Sequence, residues 1–109
     1  MINETRAARG VGPVSLAEDL SRMARRHSRH MARERQLFHH SCLSCRFPSG
    51  TWQLLGENVG TGGSLHRVHR MMMKSAPHRD IILTGSFDRV GVGVVKKGRR
   101  YWVTEIFFA

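Results

Sequence analysis

Valine and glycine alternate without interruption from Val90 to Val94, and this run constrains the fold more than any other segment of the chain. A period of two belongs to a strand, so Val90, Val92 and Val94 line one face while Gly91 and Gly93 leave the other without side chains. A bare strand face marks close approach by another element. After Lys96-Lys97-Gly98-Arg99, a second run from Tyr101 to Phe108 is rich in aromatic and β-branched residues, and the two runs predict an antiparallel hairpin.

The chain before the hairpin follows a helical period. Ser15-Leu16-Ala17-Glu18 has the form of a capping box and predicts a helix starting at Leu16. Leu16, Leu20, Met23, Ala24, His27, Met31 and Phe38 then fall on one side, with Arg22, Arg25, Arg26, Arg29 and Arg33 opposite them. Asn3 to Arg9 predicts a short helix closed by Gly10, and Ser41 to Gly50 an irregular loop. Trp52 to Val59 reads as a strand, and Gly60-Thr61-Gly62-Gly63 as the turn into a helix capped by Ser64, with Leu65, Val68 and Met72 inward and Arg67, Arg70 and Lys74 outward. Pro77 to Leu83 predicts a separate short helix. Helices, one strand, more helix and a hairpin describe a single α+β domain over 1–109.

Charge narrows the partners. A formal net charge of +10, with five arginines sharing one helix face, implies an anionic partner: nucleic acid, acidic lipid headgroups or an acidic polymer. Apolar runs fall far short of the roughly 20 residues that cross a bilayer, and Met1 to Gly10 lacks the apolar core of a signal peptide. Cys42 and Cys45 have the spacing of a redox dithiol or half a zinc site, but neither a βαβ context nor a second cysteine pair accompanies them. A loop disulfide or two unpaired thiols fits better than a zinc site with His39 and His40.

Four segments in order resemble a known family: Phe38-His39-His40-Ser41, Gly56-Glu57-Asn58, Ser75-Ala76-Pro77-His78-Arg79-Asp80-Ile81-Ile82-Leu83, and the Val-Gly alternation with Tyr101-Trp102. They are similar to the CAP superfamily of cysteine-rich secretory, antigen 5 and pathogenesis-related proteins. Asn3, Arg6, Gly10, Leu16, Ala24, His27-Ser28 and Met31 resemble the opening of its short bacterial members. The resemblance covers nearly the whole chain and implies an α-β-α sandwich with a three-stranded antiparallel sheet. It also implies an extracellular domain, cut here from a secreted precursor, the alternative being a cytosolic protein that never carried a signal peptide.

The family gathers histidines and glutamates in a surface cleft, and by motif the resemblance assigns that cleft His40, Glu57 and His78, with His39 and Ser75 beside them. Two imidazoles and a carboxylate suit zinc and leave one position open. The family's second glutamate is missing, since Lys74 and Ser75 stand where it would be, and Met72 replaces an expected Trp. His27 reads as a packed core histidine whose ring could instead reach the cleft, and Met71-Met72-Met73 as core and groove lining. Gly60 to Ser64 lacks the ending of a phosphate-binding loop.

Family members are linked to lipid or sterol binding, defence, signalling and, less securely, proteolysis, so the resemblance implies a binding module. Its rivals are a zinc-dependent hydrolase that uses the same cleft and a basic nucleic-acid-binding domain. Ser75 precedes a proline turn, and no Ser nucleophile with its own base is evident.

Overall fold

The hairpin forms the centre of the molecule. In a computed structural model, which describes residues 1–109, it comprises β3 (Arg89–Lys97) and β4 (Arg100–Phe108), paired antiparallel with Gly91 opposite Ile106 and Gly93 opposite Thr104. β2 (Leu55–Gly62) adds antiparallel to the other side of β4, placing Glu57 opposite Ile106 and Asn58 opposite Glu105. A two-residue strand, β1 (Ser15–Leu16), lies parallel to β3, so the sheet runs β1-β3-β4-β2. The three antiparallel strands are those expected from the sequence, and β1 is an addition at one edge.

β4 is central, so its alternate side chains enter two separate layers. Trp102, Thr104, Ile106 and Phe108 face α2 (Glu18–Glu34), with Ile106 and Phe108 packing against Leu20 and Ala24. Val103 and Phe107 face the other way, into a core with Val68 of α3 (Leu65–Lys74), Ile82 of α4 (Ala76–Leu83) and Phe87. The short α1 (Ile2–Ala8) completes that second layer. The result is an α-β-α sandwich.

Gly91 and Gly93 explain the close seating of α2. A Cβ on either would collide with helix backbone, at Leu20 for Gly91 and at Ala24 and Arg25 for Gly93. Ser28 Oγ donates to the Gly93 carbonyl at 2.9 Å and lies 2.8 Å from Thr104 Oγ1, so the helix is also hydrogen-bonded to the strands beneath it. On the far face Gly60 leaves room for the Met72 side chain, which fills the position where the resemblance anticipates Trp.

Three boundaries differ from the sequence reading. Ser15 is not a helix cap: its N–H donates to Asp88 O and that of Ala17 to Val90 O, both at 2.8 Å. Residues Ser15 to Ala17 are thereby held extended against β3, Leu16 is exposed, and helix bonding starts with Ser21 N–H to Ala17 O. At its other end α2 stops at Glu34, so Phe38 packs from a loop rather than from the helix. β2 begins at Leu55 and runs through Gly60-Thr61-Gly62, which pair with Val103, Trp102 and Tyr101 instead of turning. The helices at Ser64 and Pro77 form as read, with Ser64 Oγ accepting from Arg67 N–H at 3.1 Å.

Two buried polar groups cross the second layer. Arg6, fully buried, donates to the carbonyls of Gly12 (2.6 Å), Ile82 (2.8 Å), Thr84 (3.0 Å) and Phe87 (3.3 Å), tying α1 to the end of α4. Glu105 faces an apolar cavity of about 300 Å³ between α1, α3 and the sheet. Burial pushes its carboxyl up to about 7, partly offset by the hydrogen bond from Asn58 Nδ2 at 3.3 Å.

These contacts generate two expectations. Gly93→Ala should destabilise the domain by about 3 kcal/mol, seen as a thermal midpoint lower by roughly 15 °C, because rigid backbone cannot yield to the new methyl group. Gly12→Ala, with open space around it, should stay within about 0.5 kcal/mol of the parent. Glu105 binds its proton more tightly in the folded chain, so its contribution favours folding below the unfolded value of 4.5 and is lost as pH rises through 7. Glu105→Gln should therefore add on the order of 2–3 kcal/mol at pH 8 and little at pH 4, compared by urea unfolding at the two pH values. An equal gain at both would identify a packing effect instead.

Candidate functional site

Glu57 organises the cleft on the α2 side of the sheet. Strand alternation sends its side chain under the segment that leaves α2, where the carboxylate accepts three hydrogen bonds: His40 N–H to Oε1 at 2.9 Å, His39 Nδ1 to Oε1 at 3.0 Å, and His40 Nδ1 to Oε2. Burial alone would raise the Glu57 pKa. The bonds from the His40 ring and amide and from His39 outweigh that effect and hold the carboxyl below its ordinary value. An ionised carboxylate thus anchors the loop beneath the helix. Glu57 and the His40 side chain are buried, whereas His39 is exposed.

His27 supplies the second imidazole. It projects from α2 onto His40, the two rings stacking with centroids 4.0 Å apart and planes 24° from parallel. Its Nε2 lies 2.6 Å from the Phe38 carbonyl, which can only accept, so Nε2 carries the proton and Nδ1 keeps its lone pair. By the same reasoning the bonds to Glu57 leave the lone pair of His40 on Nε2. Burial lowers the His27 pKa, and the neighbouring His40 lowers it further. His27, His40 and Glu57 each offer a ligand atom, and these atoms lie within 4.8 Å of one another.

The imidazole nitrogens of His27 and His40 suit zinc and similar divalent ions, while Glu57, bonded to His40 Nδ1, supports that ring rather than completing the ligand set. A carboxylate on the far nitrogen of a ligating histidine also fixes the ring's orientation and tautomer. Glu57 stands in that relation to His40.

His78 does not join them. On β2, Glu57 points toward α2 and its neighbour Asn58 toward the opposite layer, where Asn58 Nδ2 donates to the His78 carbonyl at 3.1 Å. The His78 ring shares a 2.8 Å hydrogen bond with Ser75 Oγ and lines a separate small cavity with Leu37, Val59 and Met72. The residues whose ligand atoms lie together are thus His27, His40 and Glu57, while the His78 ring is bonded to Ser75 outside that group. The sequence clue to His27 is the pair His27-Ser28 on a helix face that is mostly apolar. Buried polar side chains need partners, and Ser28, like Ser21, finds its own in the strands, whereas His27 turns to the Phe38 carbonyl and the His40 ring.

Above the imidazoles opens a cavity of about 320 Å³ whose wall carries Arg26, Arg29 and Arg33 of α2 together with Arg46. Arg22 and Arg25 lie on the same helix, exposed and outside that wall. No arginine here meets a carboxylate, since the ion pairs of the chain are Met1–Glu4, His30–Glu34 and those of His39 and His40 with Glu57. Arg46 is placed by a short loop that Cys42 and Cys45 close as a disulfide, and Leu43 and Phe47 of that loop pack against the Leu20–Phe108 cluster.

Comparison with known proteins agrees with this architecture. An outer surface protein of Borrelia burgdorferi superposes with a TM-score of 0.86 over 98% of this chain and 85% of its own, at 17% identity. An extracellular protein of Bacillus anthracis containing a SCP domain superposes with a TM-score of 0.80 over 98% of this chain and 37% of its own, at 24% identity. The uncharacterized protein YkwD of Bacillus subtilis is 29% identical over 106 residues, which are 90% of this chain and 41% of that protein. The chain therefore spans less than half the length of these two Bacillus proteins. Residues 1–107 match the sequence model of the cysteine-rich secretory protein family, and the chain belongs to that family, the CAP family.

Proposed function

We propose that this domain is an extracellular binding module whose cleft takes a divalent metal, zinc by preference, and whose basic helix face draws an anionic partner. The observation that carries the metal reading is the convergence of His27, His40 and Glu57 within 4.8 Å in a mostly buried setting. Bound there, zinc would offer Lewis acidity and a site for an exchangeable ligand, while Glu57 orients His40 and the arginine wall attracts negative charge. Secretion is supported by the family and by the extracellular and outer-surface descriptions of its structural neighbours.

The second reading is a hydrolase built on the same donors, and the cavity above them is the observation in its favour. Against it, both Glu57 oxygens already accept hydrogen bonds from His39 and His40, which leaves the carboxylate poorly placed to act as a base.

Titration calorimetry tests the metal reading. About one zinc ion should bind per chain, binding should fade as acid protonates the imidazoles, and His27→Ala or His40→Ala should each weaken it by about tenfold or more. His78→Ala and reduction with alkylation of Cys42 and Cys45 should leave it in place. Uptake that follows the cysteines or His78 would overturn the assignment, and cleavage of an ester, peptide or phosphoester only in the zinc-loaded protein would move the domain to the hydrolase class.

A further inference from the structure

Arg35 ends α2 in the left-handed region, at φ 54 and ψ 42, and is the one residue other than glycine with positive φ. The backbone bonds at this end, Gln36 N–H to Met31 O and Arg35 N–H to Ala32 O, form the helix stop that glycine serves without steric cost. Arginine here bears a backbone penalty that glycine would remove. A second unfavourable choice faces it, because Lys97 and Arg100 are direct cross-strand partners at the tip of the β3–β4 hairpin, and like charges so placed repel. Arg35, Lys97 and Arg100 line one groove of about 790 Å³, and none of the three is in an ion pair. Local choices that oppose stability and converge on one concavity mark a functional site.

We propose that this groove is a second anion site, beyond the C-terminal end of the α2 segment that carries the arginine wall of the cleft, and that together they hold a flexible linear polyanion of phosphate type. The proposal rests on the anionic-partner half of the functional reading and is independent of the metal. Arg26, Arg29 and Arg33 precede Arg35 along α2, and from Arg26 to Arg35 the rise is about 14 Å at helical spacing. Lys97 and Arg100 extend the series across the end of the helix. The cations sit around two concavities, which admit a chain but not a flat bilayer. Trp102, the aromatic residue of the groove, is only 6% exposed and offers no platform for stacking bases, so a repeating charged backbone fits better than single-stranded nucleic acid.

Inorganic polyphosphate, tested with metal-free protein, is the probe. A long chain should bind about tenfold or more tighter than tripolyphosphate, with a log–log salt slope near −4 if about six cations are neutralised. The double variant Lys97→Gln/Arg100→Gln should flatten that slope by about 1.4. Arg35→Gly separates binding from architecture, since it should weaken binding several-fold while the thermal midpoint holds or rises. The proposal is overturned if the double variant keeps the parental slope, if tripolyphosphate binds as tightly as the long chain, or if Arg35→Gly binds like the parent. It is equally overturned if single-stranded DNA of matched charge or anionic vesicles bind more tightly than polyphosphate. Loss of zinc binding with polyanion binding intact would refute the metal reading alone.

Discussion

Contact between the backbone of α2 and the bare face of β3 is the constraint on which the rest of the structure depends. Gly91 and Gly93 let the helix settle directly on the strand, and Ser28, bonded to the Gly93 carbonyl and in contact with Thr104, fixes its position along the sheet. One position earlier in the helix, His27 is thereby delivered to the edge where β2 presents Glu57. A helix displaced outward by a methyl group would separate the two imidazoles, because their stacking leaves no slack.

The second layer is held by different means. Its helices are short, and Arg6 compensates by satisfying four carbonyls from segments far apart in the chain. No carboxylate accompanies that guanidinium, so hydrogen bonds to backbone dipoles stand in for an ion pair. Glu105 is the converse case, an acid whose side-chain hydrogen bond comes from a neutral amide and which burial therefore keeps largely protonated below neutral pH. The sheet thus separates two buried acids into unlike environments. Glu57, with three donors, is stabilised as an anion, while Glu105, on the other face, is not.

On the α2 face a single loop links the chemistry of the cleft to its charge. It contributes His39 and His40 to Glu57, closes through Cys42 and Cys45, and then sends Arg46 to the wall opposite Arg26, Arg29 and Arg33. Unpaired guanidinium groups around the imidazoles make a setting that favours anions near the donors. Such a cleft combines a metal-type donor set with an anion-attracting rim, whatever the final ligand.

The sequence by itself determined the hairpin and the close approach of another element to its bare face, because a two-residue alternation of valine and glycine has few other uses. It also determined the Ser64 cap and the helix opened near Pro77, each carried by a local motif, whereas the association of His40 with Glu57 came from the family resemblance. Tertiary structure alone decided the rest. Ser15 has the neighbours of a helix cap, yet two backbone hydrogen bonds to β3 hold its segment extended, and local propensity yields to that pairing. His78 has the motif of a cleft ligand, yet Asn58 binds its backbone on the face that Glu57 avoids, and His27 takes the place beside His40. Periodicity says which residues alternate along a strand, but the face each reaches depends on the distant elements that pack there, and no short motif contains that information.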